Sequence, residues 1–245
     1  MVAQQYLDRV RDLLDFLGSA QMDQVERAAD LVVQALRSGG AVFCHNIGHG
    51  TEGDFINRAG GLAAVQRFSF AMSVQAPLPD CIQQQRPSDP DADLARVRVA
   101  VSQSPLKAGD VVLLSSVSGR SRQAVEMALA CRQKGVRVIA LVSREYSSRV
   151  ESQHPSGKKL GDAAEIMLDI GVPYGDACVD VPGLDVKAIP LSGVAMTVLG
   201  WMLWGTVMEK MAAEGDPPTV FMSVNRPEGA VYYEQCLQRY NERGY

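Results

Sequence analysis

Three serines surround one glycine in the stretch Ser116-Val117-Ser118-Gly119-Arg120-Ser121. Glycine, lacking a Cβ, lets backbone N–H groups approach a ligand, and hydroxyls donate to it, so the stretch has the makings of an anion cradle. An apolar run, Val111-Val112-Leu113-Leu114, enters it. A helical pattern leaves it: Ala124, Val125, Ala128, Leu129 and Cys131 recur at three- and four-residue spacings, with Ser121 as N-cap and Lys134-Gly135 as cationic last turn and stop. A helix start carries unpaired N–H groups and the positive end of the dipole, which favour phosphate above other ligands. The bland alternative is a strand-to-helix turn whose serines only cap the helix. Three hydroxyls exceed what a cap requires, and Arg120 adds a cation.

Two further groups fall on loops that follow apolar strand-length runs. After residues 41–44 come His45, Asn46, Gly48, His49, Glu52 and Asp54. Two imidazoles four apart with a carboxylate could ligate zinc on one helical face, but Gly48 and Gly50 argue for a loop and no HExxH is present, so no metal or cofactor is expected. Histidines that merely cap a turn are the second reading. General acid and base work is the third. After Val136-Arg137-Val138-Ile139-Ala140-Leu141-Val142 come Ser143, Glu145 and, farther on, His154, Lys158 and Lys159.

The elements must bring these loops to one edge. Apolar runs without alternation need burial on both faces, which is the pattern of strands in a parallel sheet. Strand, helix, strand over residues 111–142 reads as a right-handed βαβ unit, so the loops after its strands share one crevice. Residues 63–70 and 166–169 complete a five-strand expectation. Two amphipathic helices fill residues 1–40, the first ended at Gly18. Residues 71–109, richer in Pro, Gln and Asp, read as an insert containing a helix started by Ser88-Asp89-Pro90-Asp91. The main domain is thus residues 41–215. Residues 216–245 form a tail with a short strand near 220–224 and a last helix from about Gly229 to Arg239.

Composition narrows the function class. The 245 residues are 47% hydrophobic, ample for a core, and 24 basic against 28 acidic residues give a net charge of −4 with no dense basic run, which excludes the footprint of a nucleic-acid binder. Cys44, Cys81, Cys131, Cys178 and Cys236 are odd in number and lack CxxC spacing, as expected of reduced thiols in a cytoplasmic protein. The uncharged stretch from Leu191 to Met208 has membrane-spanning length, yet its Ser, Thr and Gly content and its run into Glu209-Lys210 favour a buried helix.

The Ser-x-Ser-Gly-x-Ser loop resembles the phosphate loop of SIS (sugar isomerase) domains. Arg58-Ala59-Gly60-Gly61-Leu62, Ser156-Gly157-Lys158-Lys159-Leu160 and Pro173-Tyr174-Gly175-Asp176-Ala177, in that order around it, make the chain similar to the UPF0309 group of SIS proteins. The resemblance implies an α/β three-layer sandwich with a five-stranded parallel sheet flanked by helices, a phosphorylated sugar as ligand, and a homodimer or homotetramer. It adds Asp176 and Tyr174 to the residues of interest. The chain departs from the group at Cys44-His45-Asn46-Ile47-Gly48-His49, where the group carries Gly-x-Gly-His-Ser-His: His49 keeps its place and a serine is replaced by Gly48. An aldose–ketose isomerase needs a base near neutral pKa and an acid beside it. Glu52 or Asp54 is the expected base and His49 the expected acid, with Glu145 and His154 as further candidates. Ligand contacts are expected from His45, Asn46, Gly48, Ser116, Ser118, Gly119, Arg120, Ser121, Ser143, Lys158 and Asp176. A non-catalytic phosphosugar sensor is the alternative.

Overall fold

The computed structural model describes residues 1–45, 52–85 and 89–245, with Glu52 described by its backbone alone. Helices α1 (Val2–Ala20) and α2 (Met22–Arg37) precede β1 (Val42–His45) and β2 (Val65–Arg67). The insert holds a single turn, α3 (Asp80–Gln83), and α4 (Ala92–Gln103). Then follow β3 (Val111–Ser115), α5 (Arg122–Gln133), β4 (Arg137–Val142), the short α6 (Arg144–Ser148) and α7 (Leu160–Ala163), and β5 (Ile166–Asp169). A hairpin of β6 (Ala177–Val179) and β7 (Ala188–Pro190) leads into α8 (Ser192–Ala213), and α9 (Gly229–Arg243) closes the chain.

The five-stranded sheet is parallel throughout, in the order β2-β1-β3-β4-β5. Its side chains alternate between two buried layers. Val111, Leu113, Ile139, Leu141 and Leu168 point into a core shared with α1, α2 and α8. Val112, Leu114, Val138, Ala140 and Val142 point into a second core shared with α4, α5 and α7. Burial on both faces is why these strands read as continuous apolar runs. Strand order reverses between β1 and β3, whose carboxyl ends therefore border the crevice where open α/β sheets bind ligands.

Several expectations shift. The first helix passes through Gly18 to Ala20, because a Cβ-free position on the exposed side costs only about 1 kcal/mol and α2 follows within two residues. The insert helix starts at Ala92 with Asp91 as N-cap, and Ser88 lies outside the described residues. The strand expected near 220–224 reduces to one antiparallel bridge between Leu62 and Val220. The stretch from Leu191 becomes α8, whose Ala195, Leu199, Leu203 and Val207 are fully buried. No helix among the described residues is long and apolar enough to cross a membrane.

Candidate functional site

Ser115 ends β3, and the chain turns through residues 116–121 into α5 at the switch point. Hydrogen bonds fix the turn: Ser116 N–H donates to the Leu141 carbonyl at 3.0 Å, and Gly119 N–H to the Ser116 carbonyl at 3.1 Å. Gly119 has φ +67°, the conformation that favours glycine, and a Cβ there would sit a tight 3.1 Å from Val142 Cγ1. Ser121 occupies the N-cap position as expected, but its hydroxyl makes no capping bond. The first intrahelical bond of α5 runs from Val125 N–H to the Ser121 carbonyl at 3.1 Å, so the amides of Arg122, Gln123 and Ala124 precede the helical ladder. They form the positive end of a twelve-residue helix.

Around this helix start the structure gathers Ser116, Ser118, Gly119, Arg120 and Ser121. Ser116 is buried and Ser118 half-buried. Arg120 Nε is buried without a hydrogen-bond partner among the described residues, an orphaned donor that an anion would satisfy. His45 ends β1, beside β3, with its ring edge-on to Phe68 at 5.6 Å and tilted against Phe70 at 5.5 Å. One strand edge thus carries an imidazole among aromatic rings next to the serine turn.

Asn46, Gly48 and His49 lie outside the described residues, and Glu52 contributes only its backbone, in a 3-10 turn over Glu52–Asp54. Asp54 is held internally: it pairs with Arg58 and accepts from Trp201 Nε1 at 3.3 Å.

Four other expected site residues are committed to the protein itself. Ser143 is fully buried, donates to the Val172 carbonyl at 2.6 Å and accepts from Tyr146 N–H at 3.0 Å, which caps α6. Glu145 pairs with Arg149 at 3.0 Å and accepts from Tyr174 N–H at 3.3 Å; it lines a cavity of about 400 Å3, with Arg9, Gly171, Cys178 and Lys187, that borders the chain leaving β5 rather than the serine turn. Asp176 takes a left-handed conformation, φ +66°, and accepts from Leu191 N–H, Ser192 N–H and the Ser192 hydroxyl at 3.1, 2.9 and 2.6 Å. A carboxylate so placed satisfies the start of α8 and its dipole. His154 is buried with both ring nitrogens bonded, to Ser156 Oγ at 2.8 Å and Glu126 Oε2 at 2.7 Å. Lys158 is exposed, while Lys159 donates to the carbonyls of Ser147 and Val150.

Sequence reasoning passed over Arg122 and Glu126. Arg122, first residue of α5, bonds Asp91, Asp93 and the Pro90 carbonyl, anchoring the start of α4 beside the serine turn. Both are charged residues on an otherwise amphipathic helix, a pattern that ordinarily signals a solvated face.

A family profile described as SIS domain matches residues 5–143. A UPF0309 protein of Streptomyces coelicolor is 31% identical over 247 residues, covering 98% of this chain and 96% of that protein. A UPF0309 protein of Shouchella clausii is 30% identical, covering 98% and 97%. Among solved structures, a phosphoheptose isomerase from Neisseria gonorrhoeae superposes with a TM-score of 0.51 at 17% identity, over 84% of this chain and 95% of that one, a likeness of fold.

Proposed function

Because the chain belongs to the SIS-domain family and to its UPF0309 group, we propose that it binds a phosphorylated sugar, with the phosphate at the start of α5. The observation that carries this reading is the pairing of an uncapped helix start with the unpartnered Arg120 Nε at the switch point of the sheet. The Ser118 and Ser121 hydroxyls and the amides opening α5 receive the phosphate, and the Arg120 guanidinium balances its charge. The rest of the sugar extends toward the end of β1.

The reaction we propose is aldose–ketose isomerisation. A base removes the proton beside the carbonyl of the open-chain sugar. The resulting enediol takes a proton back at the former carbonyl carbon while the carbonyl moves to its neighbour. Glu52 is the proposed base and His49 the proposed acid, since Asp54, Glu145 and His154 are all engaged by other groups of the protein. That engagement also favours a second reading, a sensor that binds the same ligand without turning it over.

Stability measured against sugar phosphates, free sugars and inorganic phosphate tests the binding step. A ligand at a hundred times its Kd adds about 2.7 kcal/mol. The expected result is stabilisation by a sugar phosphate that Ser118→Ala reduces. Stabilisation by free sugars alone overturns the phosphate assignment. NMR in D2O then separates the readings: deuterium entering the sugar carbon skeleton means isomerase, and Glu52→Gln abolishes it while keeping the stabilisation. Binding without exchange means sensor.

Assembly as a homodimer or homotetramer belongs to the same proposal. Val194, Val198, Trp201 and Met208 leave an apolar, partly buried stripe along α8 that supports it.

A further inference from the structure

Two carbonyls of the serine turn face the segment that follows α6. The Gly119 carbonyl accepts from Leu160 N–H at 2.8 Å, and the Arg120 carbonyl accepts from Gln153 N–H at 3.1 Å. A trans peptide group is planar and points its C=O and N–H in opposite directions. Drawing those two carbonyls toward residues 153 and 160 therefore turns the next amides, of Arg120 and Ser121, away from that segment, toward the opposite side of the turn, where Arg120 N–H lies a long 3.5 Å from Ser118 Oγ. What holds residues 152–160 in place thus sets how two backbone donors are aimed.

The segment is held by a polar chain that runs from the exposed Lys158 and Ser156 to the buried His154 and Glu126. Lys158 N–H reaches Ser156 Oγ at 3.3 Å, and Ser156 Oγ lies 2.8 Å from His154 Nδ1, which also accepts from Ser156 N–H at 3.1 Å. With Nδ1 acting as acceptor, the ring proton sits on Nε2 and is donated to Glu126 Oε2 at 2.7 Å. Glu126 stands in the second turn of α5, the helix that the serine turn opens, and its other oxygen accepts from Arg98 of α4 at 3.1 Å. The two side chains are only 6% and 8% exposed. A buried carboxylate with two charge-assisted or ring donors is a fixed point rather than a solvated charge.

We propose that His154 and Glu126 are positioning residues for anion binding: their hydrogen bond clamps residues 152–160 to α5 and so aims the amides of Arg120 and Ser121 at the phosphate. The inference rests on the phosphate reading of the serine turn. It gives His154 a role without proton transfer, and it explains why this histidine is buried within an otherwise largely exposed polar segment.

The test replaces both partners by apolar residues of similar size, Glu126→Leu with His154→Leu, which strands neither partner unsatisfied and leaves the half-exposed Arg98 free to reach water. Hydrogen–deuterium exchange of the ligand-free protein over residues 152–161 and binding of inorganic phosphate are both measured. The expected result is exchange about tenfold faster in that segment, with β3 and β4 unchanged, and a phosphate Kd raised about tenfold or more at nearly unaltered Tm. Unchanged exchange in the segment overturns the clamp. Faster exchange with unchanged phosphate affinity overturns the link from clamp to ligand. If the unsubstituted protein binds no phosphate, the reading of the turn falls, and the exchange result still decides the clamp by itself. Should the double variant fail to fold, His154→Phe, which keeps a ring in place but removes both ring nitrogens and leaves Glu126 paired with Arg98, carries the same two measurements.

Discussion

Arg122 grips Asp93 with two donors, Nε and Nη2, each 3.2 Å from a carboxylate oxygen. The pair joins the first residue of α5 to the first turn of α4, and it places a negative charge beside a helix start that would otherwise carry an unfavourable cation. The Arg122 guanidinium, as hydrogen-bond donor first and as charge second, holds the Asp93 carboxyl below its usual range.

That depression has a pH signature. A carboxylate whose folded pKa lies below its unfolded value stabilises the fold above the unfolded pKa, and the contribution is lost as pH falls through the folded value. Asp93→Asn is expected to lower Tm by roughly 1–3 °C at pH 7, the modest effect of a largely solvated pair, and the gap to the parent protein should close below pH 4. Thermal unfolding of both proteins at pH 7, 5 and 3.5 checks it; a gap that widens on acidification contradicts the assignment.

Gly200 decides how α8 meets the turn after β1. A glycine in the middle of a 22-residue helix ordinarily gains stability on replacement by alanine. Here the added Cβ would stand 2.1 Å from Phe55 Cζ, inside a ring that is itself 2% exposed and wedged against Trp201 and Trp204. Overpacking wins, and Gly200→Ala should cost about 1–3 kcal/mol by chemical denaturation. Combining it with Phe55→Leu should recover part of the loss; a stabilised single variant refutes the packing.

Thiol reactivity should separate the cysteines cleanly. Cys81 is exposed on α3, whereas Cys44, Cys131, Cys178 and Cys236 are buried, and burial pushes the Cys131 thiol up to about 12. Since the thiolate is the nucleophile, Ellman's reagent at pH 8 should find one fast thiol in the native protein, and Cys81→Ser should remove that phase. A fast phase that survives the substitution would show that a second cysteine is accessible.

What the sequence made legible follows from where its signals are local. β3 and β4 were readable because a strand buried on both faces is apolar at every position, and α8 was readable because its length and lack of charge leave few alternatives. The serine turn was readable because all its parts lie within six residues. The roles of Asp176, singled out only by the family resemblance, and of His154 were not, because their partners stand 16 and 28 positions away. The β6–β7 hairpin was missed for a different reason: three-residue strands are too short to show a period, and Pro190 argues against a strand at all.

Gly119→Ala brings fold and function into one measurement. Alanine at φ +67° costs about 1–2 kcal/mol in backbone conformation, and its Cβ would press on Val142 Cγ1 at 3.1 Å and approach Leu160 N at 3.6 Å. The strain falls on the peptide whose carbonyl holds Leu160, so relief by rotating that peptide would also re-aim the amide of Arg120. Global stability should therefore drop by no more than about 2 kcal/mol, while stabilisation by inorganic phosphate or a sugar phosphate should be lost altogether. Ser118→Ala removes one hydroxyl and its long 3.5 Å contact with Arg120 N–H, and should lower Tm little while weakening the same ligand. If Gly119→Ala kept full ligand stabilisation at reduced Tm, the glycine would be there for the fold alone, and the donors that hold the anion would have to be sought away from the start of α5.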